Sequence, residues 1–187
     1  MSTGLQFDEA TSRKVEALYL TPDVVAQRCQ VLKALELKQG ERVLDIGSGP
    51  GLLACDIAAS VGPAGRVCGI DISEDMLTMS RRRCTDQPWT EFQRADATKL
   101  PYPNDSFDAA VSTQVYEYVA DVPTALAELH RVVRQGGRVV VVDTDYGSIT
   151  AQIQAQWFDI TINNFRTDTF NFNDTVNVTD PVPEPST

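Results

Sequence analysis

The sequence predicts one α/β domain, doubly wound, with a mostly parallel sheet and helices on both faces. Three observations point there. Short apolar runs alternate with amphipathic stretches between positions 43 and 143, the order that builds a parallel sheet covered by helices. The first apolar run passes directly into a glycine-rich turn and then a helix. The chain has 187 residues, and at about 150 residues per domain that is one compact unit with a core of its own.

The elements follow in order. Thr21-Pro22-Asp23 opens a helix whose Val25, Cys29, Leu32 and Leu35 share a face before Gly40 ends it, making residues 1–40 a helical cover over one sheet edge. A core over 41–148 then carries strands at 43–46, 66–71, 90–94, 107–113 and 138–143. Between them Ser73 caps a helix with Glu74 and Asp75 in its first turn. Asp121 and Pro123 open another, which carries Leu126, Leu129 and Val133 and stops at Gly136-Gly137. Composition changes after position 150: no lysine follows Lys99, and Asn and Thr accumulate. Residues 149–179 are expected to form an atypical helix and a hairpin. In that hairpin Phe158, Ile160 and Ile162 alternate with polar residues, Phe170, Phe172, Val176 and Val178 do the same, and the two strands join across 166–169. The C-terminal strands are thus abbreviated or atypical, and Pro181, Pro183 and Pro185 leave 180–187 as a disordered tail.

Composition narrows the function. Sixteen Lys and Arg against twenty-six Asp and Glu give a net charge of −10, a field that repels phosphate backbones and anionic membranes. Nucleic acid is therefore excluded as a partner and a small molecule is favoured. No run of about eighteen apolar residues offers a membrane span, and residues 1–10 lack the basic-then-apolar pattern of a leader. Cys29, Cys55, Cys68 and Cys84 have neither zinc-knuckle nor redox-dithiol spacing and read as buried thiols, which places the protein in the reducing cytoplasm. No metal site is expected.

The stretch VLDIGSGPG, residues 43–51, carries the chemistry. Gly47, Gly49 and Gly51 let the backbone approach a ligand where a Cβ would collide, and the following helix start presents unpaired N–H groups. Twenty positions after Gly51, Asp71 ends the second strand, where a carboxylate accepts both hydroxyls of a ribose. A dinucleotide fingerprint needs a small residue at position 52, which is Leu52. Asp45 beside the loop suits a cationic amino-acid group better than a pyrophosphate. S-adenosylmethionine has that cation and no phosphate.

Four segments, VLDIGSGPG (43–51), GIDIS (69–73), RADATKLPYPNDSFDAAVS (94–112) and ELHRVVRQGGRVVVVD (128–143), stand in the order and spacing of one family. In them the chain resembles the class I S-adenosylmethionine-dependent methyltransferases, in the small-molecule branch that includes ubiquinone and menaquinone biosynthesis C-methyltransferases. The resemblance covers about 9–148. It implies a Rossmann-like core with S-adenosyl-L-methionine as cofactor and a small-molecule methyl acceptor. By the same resemblance Asp45 with Gly47, Ser48, Gly49, Pro50 and Gly51 surrounds the methionine part, and Asp71 holds the ribose. Ile72 and Met76 flank the adenine, Asp96 and Ala97 meet its amino group, and Thr113 and Gln114 lie beside the sulfonium.

Methyl transfer from a sulfonium needs positioning and exclusion of water more than covalent help. Where a base assists, the candidates after the fourth strand are Gln114, Tyr116, Glu117 and Tyr118, with Tyr19 closing the site from the N-terminal side. Tyr116 and Tyr118 also read as ordinary packing residues, and Asp96 as a plain loop acid. In relatives the Tyr118 position is often histidine, so no base is assigned. His130 reads as structural, and Arg81-Arg82-Arg83 as the solvated end of a helix. The family fold usually ends in an antiparallel hairpin. Here residues 151–187 depart from it, and VPEPST resembles the start of a bacterial sorting tail, as a truncated or fused reading frame would give. That leaves two alternatives: an S-adenosylmethionine-binding protein without turnover, and a nicotinamide oxidoreductase. An open sheet edge would favour a homo-oligomer.

Overall fold

The computed structural model describes residues 19–143 and the backbone of two further strands. In chain order the elements are α1 (Pro22–Leu35), β1 (Arg42–Ile46), α2 (Leu52–Val61), β2 (Arg66–Asp71), α3 (Glu74–Arg83) and β3 (Thr90–Arg94). They continue as β4 (Phe107–Thr113), a 3₁₀ turn (Tyr116–Tyr118), α4 (Val122–Val132), β5 (Val133–Val142), β6 (Asp159–Asn163) and β7 (Thr167–Asn171). One seven-stranded sheet runs β3-β2-β1-β4-β5-β6-β7. Every neighbouring pair is parallel except β6 with β7.

Alternation along the strands divides the core into two layers. Leu44, Ile46, Ile70, Ala110, Val139 and Val141 face α4 and the loop that follows β3, while Val43, Val67, Ala109, Val111, Val140 and Val142 face α1, α2 and α3. A strand covered on both faces must be apolar at successive positions, as Val139 to Val142 are. The β3–β4 crossover has no helix of its own. Its backbone is tethered instead by α4: Arg131 donates to the carbonyls of Tyr102 at 2.7 Å and Leu100 at 3.0 Å, and Glu128 accepts from Leu100 N–H at 2.8 Å. Beneath it Phe107 is 1% exposed and meets Tyr102 edge-on at 4.8 Å. Phe107→Ala is expected to cost about 3–5 kcal/mol, read as a shift in the urea midpoint, because the cavity lies under a tethered roof that cannot collapse.

Several boundaries differ from the sequence expectation. α1 buries Val31 and Leu35, and Cys29 is exposed rather than on the core face. The helix is turned so that Arg28 pairs with Asp56 of α2 at 2.8 Å. α1 lies over β5 and against α2, within the sheet rather than over an edge. It ends at Leu35 with Glu36 in the left-handed region, four residues before Gly40. There Arg138 reaches the Leu35 carbonyl at 2.8 Å and pairs with Glu41 at 2.6 Å.

α4 stops at Val132, and β5 begins on the next residue instead of after Gly136-Gly137. The incoming β4 loop takes the helix carbonyls, with Asp105 N–H bonding Arg131 O and Ser106 N–H bonding Val132 O. The glycine pair lies within β5, inside the register shift between Phe107–Val133 and Ala109–Arg138. Cys55 and Cys84 form a disulfide, so the reading of all four cysteines as buried thiols is corrected; their Cα atoms stand 5.6 Å apart, and Cys68 alone is a buried free thiol. Their separation of 29 positions hid the pairing, because α2 and α3 meet only once the sheet has formed.

The hairpin is present as β6 and β7, with the second strand starting at Thr167 rather than at 170. The expected helix in 149–158, the tail at 180–187 and the segment before Tyr19 lie outside the described residues. No helix among the described residues is long and apolar enough to cross a membrane.

Candidate functional site

In a doubly wound sheet a crevice opens where the strand order reverses, here between β1 and β4, at their carboxyl ends. Four strand ends converge there, carrying Asp45 and the 47–51 loop, Asp71 to Ser73, Thr113 to Tyr118, and Asp143.

The 47–51 loop is fixed largely by the protein itself. At Gly51 the backbone is left-handed (φ +80°), and a Cβ would stand 2.8 Å from Ser80 Cα. At Gly47 the Val115 side chain occupies the space that a Cβ would need. Gly49 differs, because a Cβ there meets nothing nearer than the Gly47 carbonyl at 3.9 Å. The expectation that all three glycines make room for a ligand therefore narrows to Gly49. The others make room for Val115 and for α3.

Asp71 joins the loop to the end of β2. One carboxylate oxygen accepts from Gly49 N–H at 3.0 Å and the other from Ser73 N–H at 2.8 Å. Burial nevertheless holds its carboxyl above the usual aspartate range, with these backbone bonds opposing. A carboxylate has about four acceptor sites, so Asp71 keeps capacity for a further donor. Asp45 is 1% exposed, and its Oδ2 has no hydrogen-bond partner. Burial, with the Asp71 charge adding to it, raises its carboxyl to about 7. The buried Ser48 hydroxyl is likewise unpartnered. Such orphaned buried groups are costly and mark where an absent partner belongs.

The other expected residues divide. Tyr19 is half-buried, and burial, then the charge of Asp71, hold its phenol above the usual tyrosine range. Ile72 is 64% exposed beside Asp71, while Met76 is buried at the start of α3, where Ser73 caps its N–H at 3.4 Å. Asp96 is exposed, with one oxygen bound to Thr98 N–H and hydroxyl. Ala97 packs into the core. Ala95 N–H bonds Asp71 O at 3.2 Å, which keeps this loop beside the end of β2.

Thr113 and Gln114 leave β4, Gln114 with φ +57° and its N–H on Val142 O at 2.6 Å. Tyr116 is a core residue, 4% exposed, with an unpartnered hydroxyl whose acidity burial suppresses. Tyr118 is 76% exposed on the rim. Tyr116 and Tyr118 are thus separated rather than brought together. His130 sits on α4, in the layer opposite α1–α3.

Sequence reasoning missed three contributors. Ser80 and Arg83 of α3 donate to the carbonyls of Gly49 at 2.7 Å and Pro50 at 2.9 Å, so the arginine run is not simply a solvated end. Asp143, at the end of β5, accepts from Val115 N–H at 2.7 Å and is raised to about 6, chiefly by burial. An acid closing a strand beside the crevice was the available signal for Asp143. Nothing in the local sequence pointed to Ser80.

A family model described as a methyltransferase domain matches residues 44–141. Demethylmenaquinone methyltransferase of Symbiobacterium thermophilum is 37% identical over 57% of this chain and 43% of its own length. The 2-phytyl-1,4-naphtoquinone methyltransferase of Synechococcus elongatus is also 37% identical, over 65% of this chain and 54% of its own. The chain thus spans about half the length of these curated relatives. Among solved structures, a SAM-dependent methyltransferase from Aquifex aeolicus superposes with a TM-score of 0.65 at 23% identity, covering 78% of each chain. With a family model matching more than half of its residues, this chain belongs to the methyltransferase domain family.

Proposed function

We propose that the protein transfers the methyl group of S-adenosyl-L-methionine to a small-molecule acceptor. The observation that carries this reading is the buried Asp45 carboxyl, whose Oδ2 is unpartnered, beneath a loop in which Gly49 has open space and gives its N–H to Asp71. These residues fit the cofactor. Asp45, with residues 47–51, suits its ammonium. Asp71 keeps acceptor capacity that a ribose hydroxyl would use. By the family resemblance Ile72 and Met76 would flank the adenine, Asp96 and Ala97 would meet its amino group, and Thr113 and Gln114 would lie beside the sulfonium. When bound, the group supplies a methyl on positively charged sulfur, already activated for displacement.

The chain's own work is then to align and to exclude water. Tyr116 stays protonated in the core, so it is no base, and Tyr118 on the rim is placed to meet the acceptor. Tyr19, beside Asp71, closes the cofactor end. The quinone-type acceptors in the names of the two relatives are the class to test first. Among the described residues β7 is an end strand of the sheet, and a second copy would add there.

S-adenosylmethionine and S-adenosylhomocysteine are expected to raise the melting temperature and NAD to leave it unchanged. A shift with NAD alone would overturn the reading. A labelled-methyl screen over quinols, phenols, amines and thiols then identifies the acceptor.

Asp45 makes the site pH-dependent. Its folded value of about 7 lies above the usual 3.8, so the folded state holds the extra proton between the two. The contribution of this group to the free protein's stability is therefore fully present below about 4 and is lost as pH rises through about 7. A ligand ammonium favours the carboxylate, so binding runs the other way. S-adenosylhomocysteine should bind about tenfold more weakly at pH 6 than at pH 8, and calorimetry on Asp45→Asn should find that dependence gone.

A further inference from the structure

The last turn of α3 supports the glycine loop from below. Ser80, fully buried, holds the Gly49 carbonyl, Arg83 holds that of Pro50, and Cys84 Sγ lies 3.8 Å from that of Gly51. Three successive loop carbonyls thus rest on one helix end. Cys84 is in turn bonded to Cys55, in the first turn of α2, the helix into which the loop runs. Loop, α2, disulfide and α3 form a closed ring. Gly51 leaves that ring no slack, because α3 backbone already stands where its Cβ would be.

Cutting the bond would not separate the helices. Gln87 Nε2 still donates to Cys55 O at 3.0 Å, and Trp89 Nε1 to Ala58 O at 2.9 Å. Two thiols, however, cannot remain at bonding distance. The sulfurs must part, and the covalent link that closes the ring beside the Gly51 carbonyl is lost. Access is one-sided: Cys84 is 3% exposed, whereas Cys55 is only partly buried.

We propose that Cys55–Cys84 is a reversible redox site that sets the affinity of the 47–51 loop for its adenosyl ligand, tight when oxidised and weak when reduced. The ligand's identity rests on the function proposed above; the coupling of bond to loop does not. The partner is a low-molecular-weight thiol of the glutathione class. Its thiolate attacks Cys55 Sγ, the bond to Cys84 breaks, and Cys84 departs as a thiolate that takes a proton from solvent. A second external thiol then displaces Cys55 as its thiol. Two external thiols leave as one disulfide, and the protein gains two electrons and two protons.

The test compares the full chain in oxidised-glutathione and dithiothreitol buffers, with thiols counted by alkylation and mass spectrometry. Two quantities are read: amide hydrogen exchange over residues 47–55 and the Kd of S-adenosylhomocysteine. Oxidised protein should protect the loop and bind at least about fivefold more tightly, the lower end of ordinary coupling between sites. Cys55→Ser, which spares the buried Cys84, should behave as reduced protein in both buffers. Equal exchange and affinity in two verified redox states would overturn the proposal, as would failure of the bond to form. Exchange that changes while no adenosyl compound binds in either state would uphold the coupling and sink the proposed function instead.

Discussion

Asp71→Ala is expected to weaken S-adenosylhomocysteine binding at least about 100-fold, read by calorimetry, while moving the free protein's stability by only about 1 kcal/mol. The binding loss follows from two hydrogen bonds to a charged acceptor, each worth about 1.5–3 kcal/mol, at roughly 1.4 kcal/mol per tenfold. The stability change is small because two terms oppose. Removing the carboxylate strands the N–H groups of Gly49 and Ser73, but it also relieves the burial that holds its carboxyl above the usual range. The direction of that shift adds a check. A raised folded value gives stability that is lost as pH rises through it, so the variant should gain on the wild type toward neutral pH. A large loss of stability with unchanged binding would mean that Asp71 only ties the loop to β2.

Gly51→Ala should act through the fold. The new Cβ must enter a left-handed backbone, which costs about 1–2 kcal/mol, and it meets Ser80 Cα at 2.8 Å, an overpacking of about 1–3 kcal/mol. Together these lower the melting temperature by roughly 10 °C for a chain of this size. Gly49→Ala is the contrasting variant. Gly49 is left-handed too (φ +51°), but space there is open, so stability should fall only by the backbone cost of about 1–2 kcal/mol while ligand binding is lost. The pair separates glycine needed for packing from glycine needed for approach.

The five parallel strands of the core were legible because each is a short apolar run bounded by turn chemistry, and β2, β3 and β4 fall on the expected residues. The caps at Ser73 and Asp121 were legible for the same local reason. Legibility ended where a tertiary contact decides. Cys29 and Val31 both fit an apolar stripe, and only the Arg28–Asp56 pair settles which of them turns inward. Gly136-Gly137 reads as a helix stop, yet β4 claims the chain at Val133 first. At the site, Asp45 and Asp71 were visible from their places in the strand–turn–helix unit. Ser80 was not, because its role is a contact with a carbonyl 31 positions away.

The tether between α4 and the β3–β4 crossover bears on the order of events during synthesis. Arg131 holds the carbonyls of Leu100 and Tyr102 from 31 and 29 positions downstream. Contacts between such distant positions tend to form late, so the crossover that covers Cys68 and Ile70 is expected to be fastened only after α4 has been made.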